Sequence, residues 1–186
     1  MREGKSLARV VSSQIVHEGP VFGVRRDRVI EPHGVEVIRE VVTHPGSVVV
    51  LPVFPDDRIL LIRQYRHVAG DYLWELVAGR KDEGETFVEG AQRELEEETG
   101  YQAKKFTQIL EIFPSPGFVA EKMAIFVAEG LTKGKARPEE DEKITQRILS
   151  LSDAEKWIRS GKIRDGKSVA GILFFSKFLS RKKTRH

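Results

Sequence analysis

Short alternating runs of apolar and polar positions open the chain. Between Ala8 and Val42, segments such as VFGVRRDRVI and GVEVIREVV are rich in Val, Ile and Phe and are broken at Pro20, Pro32, His33 and Gly34. Runs of this kind separated by turn residues predict antiparallel strands, here a small sheet of their own over residues 1–45. After His44, Pro45 and Gly46 the alternation gives way to continuous apolar runs, SVVVLPVF and RILLIRQYR, on either side of Pro55, Asp56 and Asp57. Unbroken runs mark strands buried on both faces, and the turn residues between them predict a buried hairpin opening a main domain, 46–186.

The period then changes. TFVEGAQRELEEETG carries Phe87, Ala91 and Leu95 at intervals of four, the stripe of an amphipathic helix. Thr86 with Glu89 three residues on makes a capping-box pattern, and Gly100 supplies a left-handed stop. Two strands over QILEIF and KMAIFVAEG follow, then a helix over SDAEKWIRSG capped by its Ser or Asp. A last helix spans Lys167 to Leu179, with Val169, Ile172, Leu173 and Phe178 as its apolar residues. Strands, helix, strands and helices in that order argue for a mixed α/β (α+β) protein. A mixed sheet lies between helical layers, an α/β/α sandwich, beside the small N-terminal antiparallel sheet.

Composition narrows the chemistry. None of the 186 residues is a cysteine, so disulfides and thiolate chemistry are excluded and any metal must be held by oxygen or histidine. No run approaches about 18 uninterrupted apolar residues, and MREGKSLARVVSSQIVHEGP lacks the layout of a secretory signal; the expectation is a soluble, cytoplasmic protein with no membrane partner. The net charge of +3 gathers its basic excess in Lys177, Arg181, Lys182, Lys183 and Arg185. No aromatic-studded basic stripe accompanies that tail, which reads as a solvated terminus, and nucleic acid is not the expected partner.

The acids of RELEEETG change the picture most. On a helical wheel Glu89, Gln92 and Glu96 lie opposite the apolar stripe, whereas Glu94, Glu97 and Glu98 share a face beside it, at the edge of the core. Like charges at this spacing cost about 0.2–0.5 kcal/mol per exposed pair and more when partly buried. Something must compensate. A solvated acidic face with Arg93 paired to Glu97 is one answer. A hard divalent cation, Mg²⁺ or Mn²⁺, is the other, because it prefers carboxylate oxygen and bridges protein to phosphate.

Context favours the cation. Gly79 is followed six residues later by Glu85, then by Arg93, Glu94, Leu95, Glu97, Glu98, Gly100 and Tyr101. This spacing resembles the signature of the Nudix hydrolase family, with Tyr101 standing where an aliphatic residue is usual. The resemblance implies a loop, helix, loop element in an α/β/α sandwich, whose carboxylates hold Mg²⁺ against the pyrophosphate of a substituted nucleoside diphosphate. By that carry-over Glu94, Glu97 and Glu98, with the carbonyl of Ala78, are metal ligands, and Arg93 orients a glutamate. Gly79, Gly84 and Gly100 shape the element, and Glu85 stabilises the loop or assists a metal. Divalent ions neutralise the pyrophosphate and acidify a bound water, so no side-chain nucleophile is needed.

Substrate choice lies outside that element. IFPSPGFVAEKM places Pro116 sixteen residues after Gly100, followed by Gly117, Phe118 and Glu121. It resembles the loop of the ADP-ribose pyrophosphatase subgroup, where the glutamate is a catalytic base or an added metal contact; Pro-Ser-Pro-Gly is equally ordinary turn chemistry. LLIRQYRHV before LWELVAG is similar to the strand that presents an arginine to the substrate phosphates. Arg66 is the candidate, with Arg63 behind it and Glu75 as a further substrate contact; a surface role on an edge strand is the alternative. Trp74 reads as core packing, His44 as structural, Val77 replaces the subgroup's usual proline, and Glu142 either shapes the site or sits in an exposed loop. The N-terminal sheet, including REVVTHPG, resembles the small domain through which such proteins dimerise, with residues near Arg25 to Arg28 facing the partner's nucleotide. The reading is a Mg²⁺-dependent, homodimeric enzyme cleaving ADP-ribose to AMP and ribose 5-phosphate, its catalytic residues Arg93, Glu97, Glu98 and Glu121. The alternatives are another nucleotide sugar or dinucleotide, such as GDP-mannose or NADH, or a non-catalytic nucleotide or RNA binder.

Overall fold

Residues 7–137 and 143–180 are described by the computed structural model; Glu142 and the basic residues from Arg181 onward lie outside the described residues. The chain divides into two compact units, Met1–Pro45 with Phe113–Lys122, and Gly46–Ile112 with Met123–His186.

In the first unit, β1 (Arg9–Glu18), β2 (Gly23–Ile30) and β3 (Glu36–Thr43) form an antiparallel sheet in the order β1-β2-β3. The expected turn at Pro32 to Gly34 closes on a hydrogen bond from the Gly34 N–H to the Glu31 carbonyl, 2.8 Å. Asp27 is buried here, and Ser13 Oγ donates to it at 2.6 Å. That bond, against the cost of burial and with help from Arg25, holds its carboxyl below the usual range. The 113–122 loop belongs to this unit because Val42 donates its N–H to Phe118 and accepts from the Ala120 N–H, at 2.8 and 2.9 Å.

The second unit contains β4 (Ser47–Pro52), β5 (Arg58–Arg66), β6 (Asp71–Glu75), β7 (Val77–Arg80), α1 (Phe87–Thr99), β8 (Tyr101–Gln102) and β9 (Lys105–Ile112). After the excursion into the first unit come β10 (Met123–Glu129), β11 (Thr132–Lys133), β12 (Thr145–Ser150), α2 (Leu151–Arg159) and α3 (Gly166–Phe174), with a π-helical turn over Phe175–Leu179. One sheet runs β7-β4-β10-β9 with β4 and β10 parallel; another runs β12-β5-β6, all antiparallel; β8 and β11 pair separately.

The buried hairpin expected from SVVVLPVF and RILLIRQYR is a turn without a ladder. Phe54 and Arg58 close it, with Asp57 at φ 58°, and a single bridge joins Val53 to Ile59. Beyond it β4 and β5 enter different sheets. Each strand needs both edges hydrogen-bonded in the interior. The edges of β4 are taken by β7 and β10, and those of β5 by β6 and β12. Their side chains still form one middle layer. Val48, Val50, Leu60 and Ile62 pack with Ala91 and Leu95 of α1, while Val49, Leu51, Ile59 and Leu61 pack with Ala154 of α2 and Ile172 of α3. The α/β/α sandwich follows.

The last two helices differ from the sequence reading in detail. Ser150, ahead of the SDAEK segment, caps α2, its Oγ accepting the Asp153 N–H. In α3 and the turn after it, Ser168, Gly171, Ile172 and Phe175 face inward, while Leu173 and Phe178 are 42% and 67% exposed. Of the expected apolar residues Val169 and Ile172 pack on the core, while Leu173 and Phe178 do not, because small residues, Ser168 and Gly171, take the rest of the inner face. A Cβ at Gly171 would come within 3.0 Å of Leu76, so close approach to the sheet decides the orientation. Among the described residues no helix is long and apolar enough to cross a membrane.

The end of α1 is fixed by backbone. Gly100 takes φ 74° and donates to Glu96; its carbonyl accepts from the Gly134 N–H at 2.6 Å, and the Glu97 carbonyl accepts from the Arg137 N–H at 2.8 Å. A Cβ on Gly100 would fall 2.5 Å from the Ala136 nitrogen. Gly100→Ala therefore combines a left-handed residue with a backbone clash, and should cost roughly 2 kcal/mol or more. Urea unfolding checks this, and an unchanged midpoint would refute the close packing.

Candidate active site

The helix that carries the acids is built as its sequence dictates. Thr86 Oγ1 accepts the Glu89 N–H while Glu89 Oε2 accepts the Thr86 N–H, a complete capping box. Ala91 and Leu95 are fully buried and Glu89, Gln92 and Glu96 face solvent. Glu94 and Glu97 are partly covered and Glu98 is only 3% exposed, so the three acids do lie at the core's edge.

Arg93 gathers the acids. Its Nε donates to Glu85 at 2.8 Å, Nη1 to Glu94 at 2.7 Å and Glu97 at 3.0 Å, and Nη2 to Glu85 at 3.1 Å and the Arg80 carbonyl at 2.9 Å. All five guanidinium donors are thereby used. The bonds to Glu85 first, then those to Glu94 and Glu97, raise the pKa of Arg93, and the same bonds from Arg93 chiefly hold the Glu85 carboxyl below its ordinary value. Arg93 pairs with Glu97 as the simpler reading anticipates, and also with three further acids, Glu85, Glu94 and, at 3.6 Å, Asp82. Glycine at position 79 is a steric requirement: a Cβ there would collide with the Glu94 carboxylate, which rests on β7 beside Ala78. Gly84, at φ 80°, serves the turn before the helix. Among the described residues no three acidic or histidine side chains already form a metal cage. The donor set is nevertheless entirely hard oxygen, at spacings of three and four on one helix face, and suits a divalent ion such as Mg²⁺.

A second charged cluster sits where β5 ends. Arg66 donates to Glu75 through Nε at 2.9 Å and Nη2 at 2.8 Å, and Lys167 Nζ donates to the same carboxylate at 2.6 Å. Burial opposes ionisation of Glu75, but the bonds from Arg66 and the charge of Lys167 outweigh it and leave its pKa lowered. The pKa of Arg66 is raised, first by Glu75 and more weakly by the charge of Glu98, which links this cluster to the acidic helix. Glu75, expected to touch substrate, is 1% exposed and faces Arg66 instead. Arg63 stands apart, its guanidinium 5.0 Å from the Tyr72 ring centre. Trp74 packs on Trp157 at 5.4 Å, in line with the packing reading, and Val77 is a buried strand residue opposite Val50.

Lys167 escaped the sequence reading. One signal was available: a lysine in the first turn of a helix opposes the helix dipole and calls for an acidic partner. Pro116, Gly117 and Glu121 belong to the first unit. There the Ser115 carbonyl accepts from Phe118 and Val119, forming a tight turn, and Glu121 lies 3.7 Å from His44 Nδ1.

A three-layer α/β/α sandwich whose acidic helix packs on a glycine of the adjoining strand defines the class, and the chain belongs to the Nudix hydrolase family: residues 43–170 match the NUDIX domain. Within it the chain is 36% identical over 173 residues to the ADP-ribose pyrophosphatase of Bacillus subtilis, covering 91% of this chain and 94% of that one. It is 36% identical over 167 residues to the ADP-ribose pyrophosphatase of Mycobacterium tuberculosis, covering 88% and 80%. It is also 33% identical over 168 residues to the methanol dehydrogenase activator of Bacillus methanolicus, covering 89% and 91%. The crystal structure of an ADP compounds hydrolase shares the fold, with a TM-score of 0.81 at 24% identity over 95% of this chain and 96% of that one.

The lowered pKa of Glu75 gives a pH signature. Its stabilisation is fully present above the ordinary value of 4.5 and is lost as pH falls through the lower folded value. Glu75→Gln should therefore be less stable than the wild type at neutral pH, with the gap closing as acid protonates Glu75. Chemical denaturation across pH reads this, and a gap that widens in acid would reverse the assignment.

Proposed function

We propose that the chain hydrolyses the pyrophosphate of ADP-ribose to AMP and ribose 5-phosphate with Mg²⁺, or Mn²⁺, as cofactor. The observation that carries this reading is the Arg93 clasp, which holds Glu94 and Glu97 on the helix face they share with buried Glu98, beside Gly79. Relatives that match nearly the whole chain and are named ADP-ribose pyrophosphatase supply the substrate.

Glu94, Glu97 and Glu98, with the carbonyl of Ala78, would hold the ion. When bound, a divalent ion neutralises phosphate oxygens and acidifies water. Arg93 keeps carboxylates that repel one another gathered before any cation arrives, so little reorganisation is required on binding. Arg66 turns its remaining N–H edge to the diphosphate, with Arg63 adding positive charge behind it. Pro116 and Gly117 shape the loop that carries Glu121, the residue we assign as base on the strength of that loop. Glu121 takes a proton from water; the water oxygen bonds to phosphorus, and the bridging P–O bond breaks with its electron pair leaving on the departing phosphate. One monophosphate remains on each product.

The test is release of AMP from ADP-ribose with Mg²⁺, run beside GDP-mannose, UDP-glucose and NADH, with a chelator as control. ADP-ribose should be the fastest, and Glu98→Gln should lower kcat by about a hundredfold or more while the protein stays folded. Faster turnover of another compound would keep the acids and replace the substrate. Full activity in Glu98→Gln would overturn the metal assignment.

We further propose that residues 1–45 form a dimerisation region and 46–186 the hydrolase domain. In the first unit Val10 and Ile15, which pair with Val29 and Arg25 and so share one face of the sheet, are more than half exposed, an apolar patch suited to a second copy of the chain. Sedimentation equilibrium should give a dimer, and Val10→Glu with Ile15→Glu a monomer. A wild type that sediments as a monomer rejects the assignment.

A further inference from the structure

We propose that Lys167 is a positioning residue for Arg66, acting through Glu75. The inference rests on the reading of Arg66 as the diphosphate contact and concerns what holds that arginine in place.

Arg66 is 38% exposed at the end of β5, where a long side chain in water samples many rotamers. Its partner Glu75 is covered, and the two oxygens of Glu75 receive three charge-assisted bonds: Arg66 Nε on Oε1, and Arg66 Nη2 with Lys167 Nζ on Oε2. Three contacts fix the plane of the carboxylate, and the fork geometry then fixes the plane of the guanidinium. This uses one edge of Arg66. Nη1 and the outer hydrogen of Nη2 find no protein acceptor among the described residues, which leaves an end-on pair of donors for a ligand.

Lys167 is itself held. It is 13% exposed and its Nζ lies 2.9 Å from Asp165 Oδ1. The other oxygen of Asp165 caps α3, accepting from the Ser168 N–H and Oγ at 3.0 and 2.5 Å. Ser168 Oγ in turn accepts the Leu76 N–H at 2.7 Å, next to Glu75. The first turn of α3 is thus anchored to the strand that carries Glu75, and Lys167 passes that anchorage to Arg66. Without Lys167, Oε2 keeps a single bond and the Arg66–Glu75 pair can pivot.

The experiment compares Lys167→Met with the wild type in two assays: ADP-ribose turnover with Mg²⁺, and ADP binding by calorimetry in EDTA, which reads diphosphate recognition without metal. Lys167→Met should raise KM and weaken ADP binding by about tenfold while kcat stays within about threefold, the pattern of lost ground-state positioning. Lys167→Arg should recover most of the loss, and in an Arg66→Met background the second substitution should add nothing. Wild-type KM and ADP affinity in Lys167→Met, or the same tenfold loss recurring in the Arg66→Met background, overturns the proposal. If Lys167→Met does not fold, Lys167→Gln carries the same comparison. Unchanged KM and ADP affinity in Arg66→Met itself would instead remove the reading of Arg66, and this inference with it.

Discussion

Carboxylates on one helix face repel, and the architecture around α1 keeps them together. Propensity and capping set where the helix starts and stops, but neither lessens the mutual repulsion of Glu94, Glu97 and Glu98. Arg93 does so for the first two, and its other bonds reach Glu85 and the Arg80 carbonyl, tying the helix to the loop and strand before it. Two consequences follow. The strand beneath must come close enough for Glu94 to rest on it, which leaves no room for a Cβ at Gly79. The helix must also keep a fixed rotation, which Ala91 and Leu95 supply by burial against Val48, Val50 and Leu60.

The two charged clusters are complementary. Around Arg93 one cation serves four acids, Asp82, Glu85, Glu94 and Glu97, leaving an excess of negative charge. Around Glu75 two cations serve one buried acid, with Asp165 farther out along α3. An acid-rich patch attracts a divalent cation and a cation-rich one attracts phosphate oxygen, so the pair suits a metal-bound diphosphate better than either component alone. Arg93, with every donor committed to protein, is a scaffold; Arg66, with one edge uncommitted, can be a ligand.

Much of this was legible in the sequence because it depended on residues close together. The capping box at Thr86 and Glu89, the stop at Gly100 and the placing of Glu94, Glu97 and Glu98 beside the apolar stripe all follow from helical periodicity. Pairing was not legible. The runs that become β4 and β5 announce burial on both faces but carry no information about which strand lies on each edge. The inner side of α3 was legible only in part: Val169 and Ile172 pack on the core, but Ser168 and Gly171 share that side for closeness, not apolarity, and Leu173 and Phe178 are left outside. Lys167 and Glu75 are 92 positions apart, and no local pattern joins them.

One crossing explains why the clusters are neighbours. Between Glu75 and Val77 the chain leaves the β12-β5-β6 sheet and enters the β7-β4-β10-β9 sheet, and at that step Leu76 has no strand partner for its N–H. An orphaned buried donor is costly, and Ser168 supplies the acceptor. The same bond seats α3 so that Lys167 reaches Glu75. Three residues after Glu75 the chain arrives at Ala78 and Gly79, under Glu94. Glu75, which holds the arginine proposed to meet the diphosphate, and Ala78, proposed as a metal ligand, thus sit on strands joined by a single residue, and the bond that satisfies that residue also holds the helix that braces Arg66.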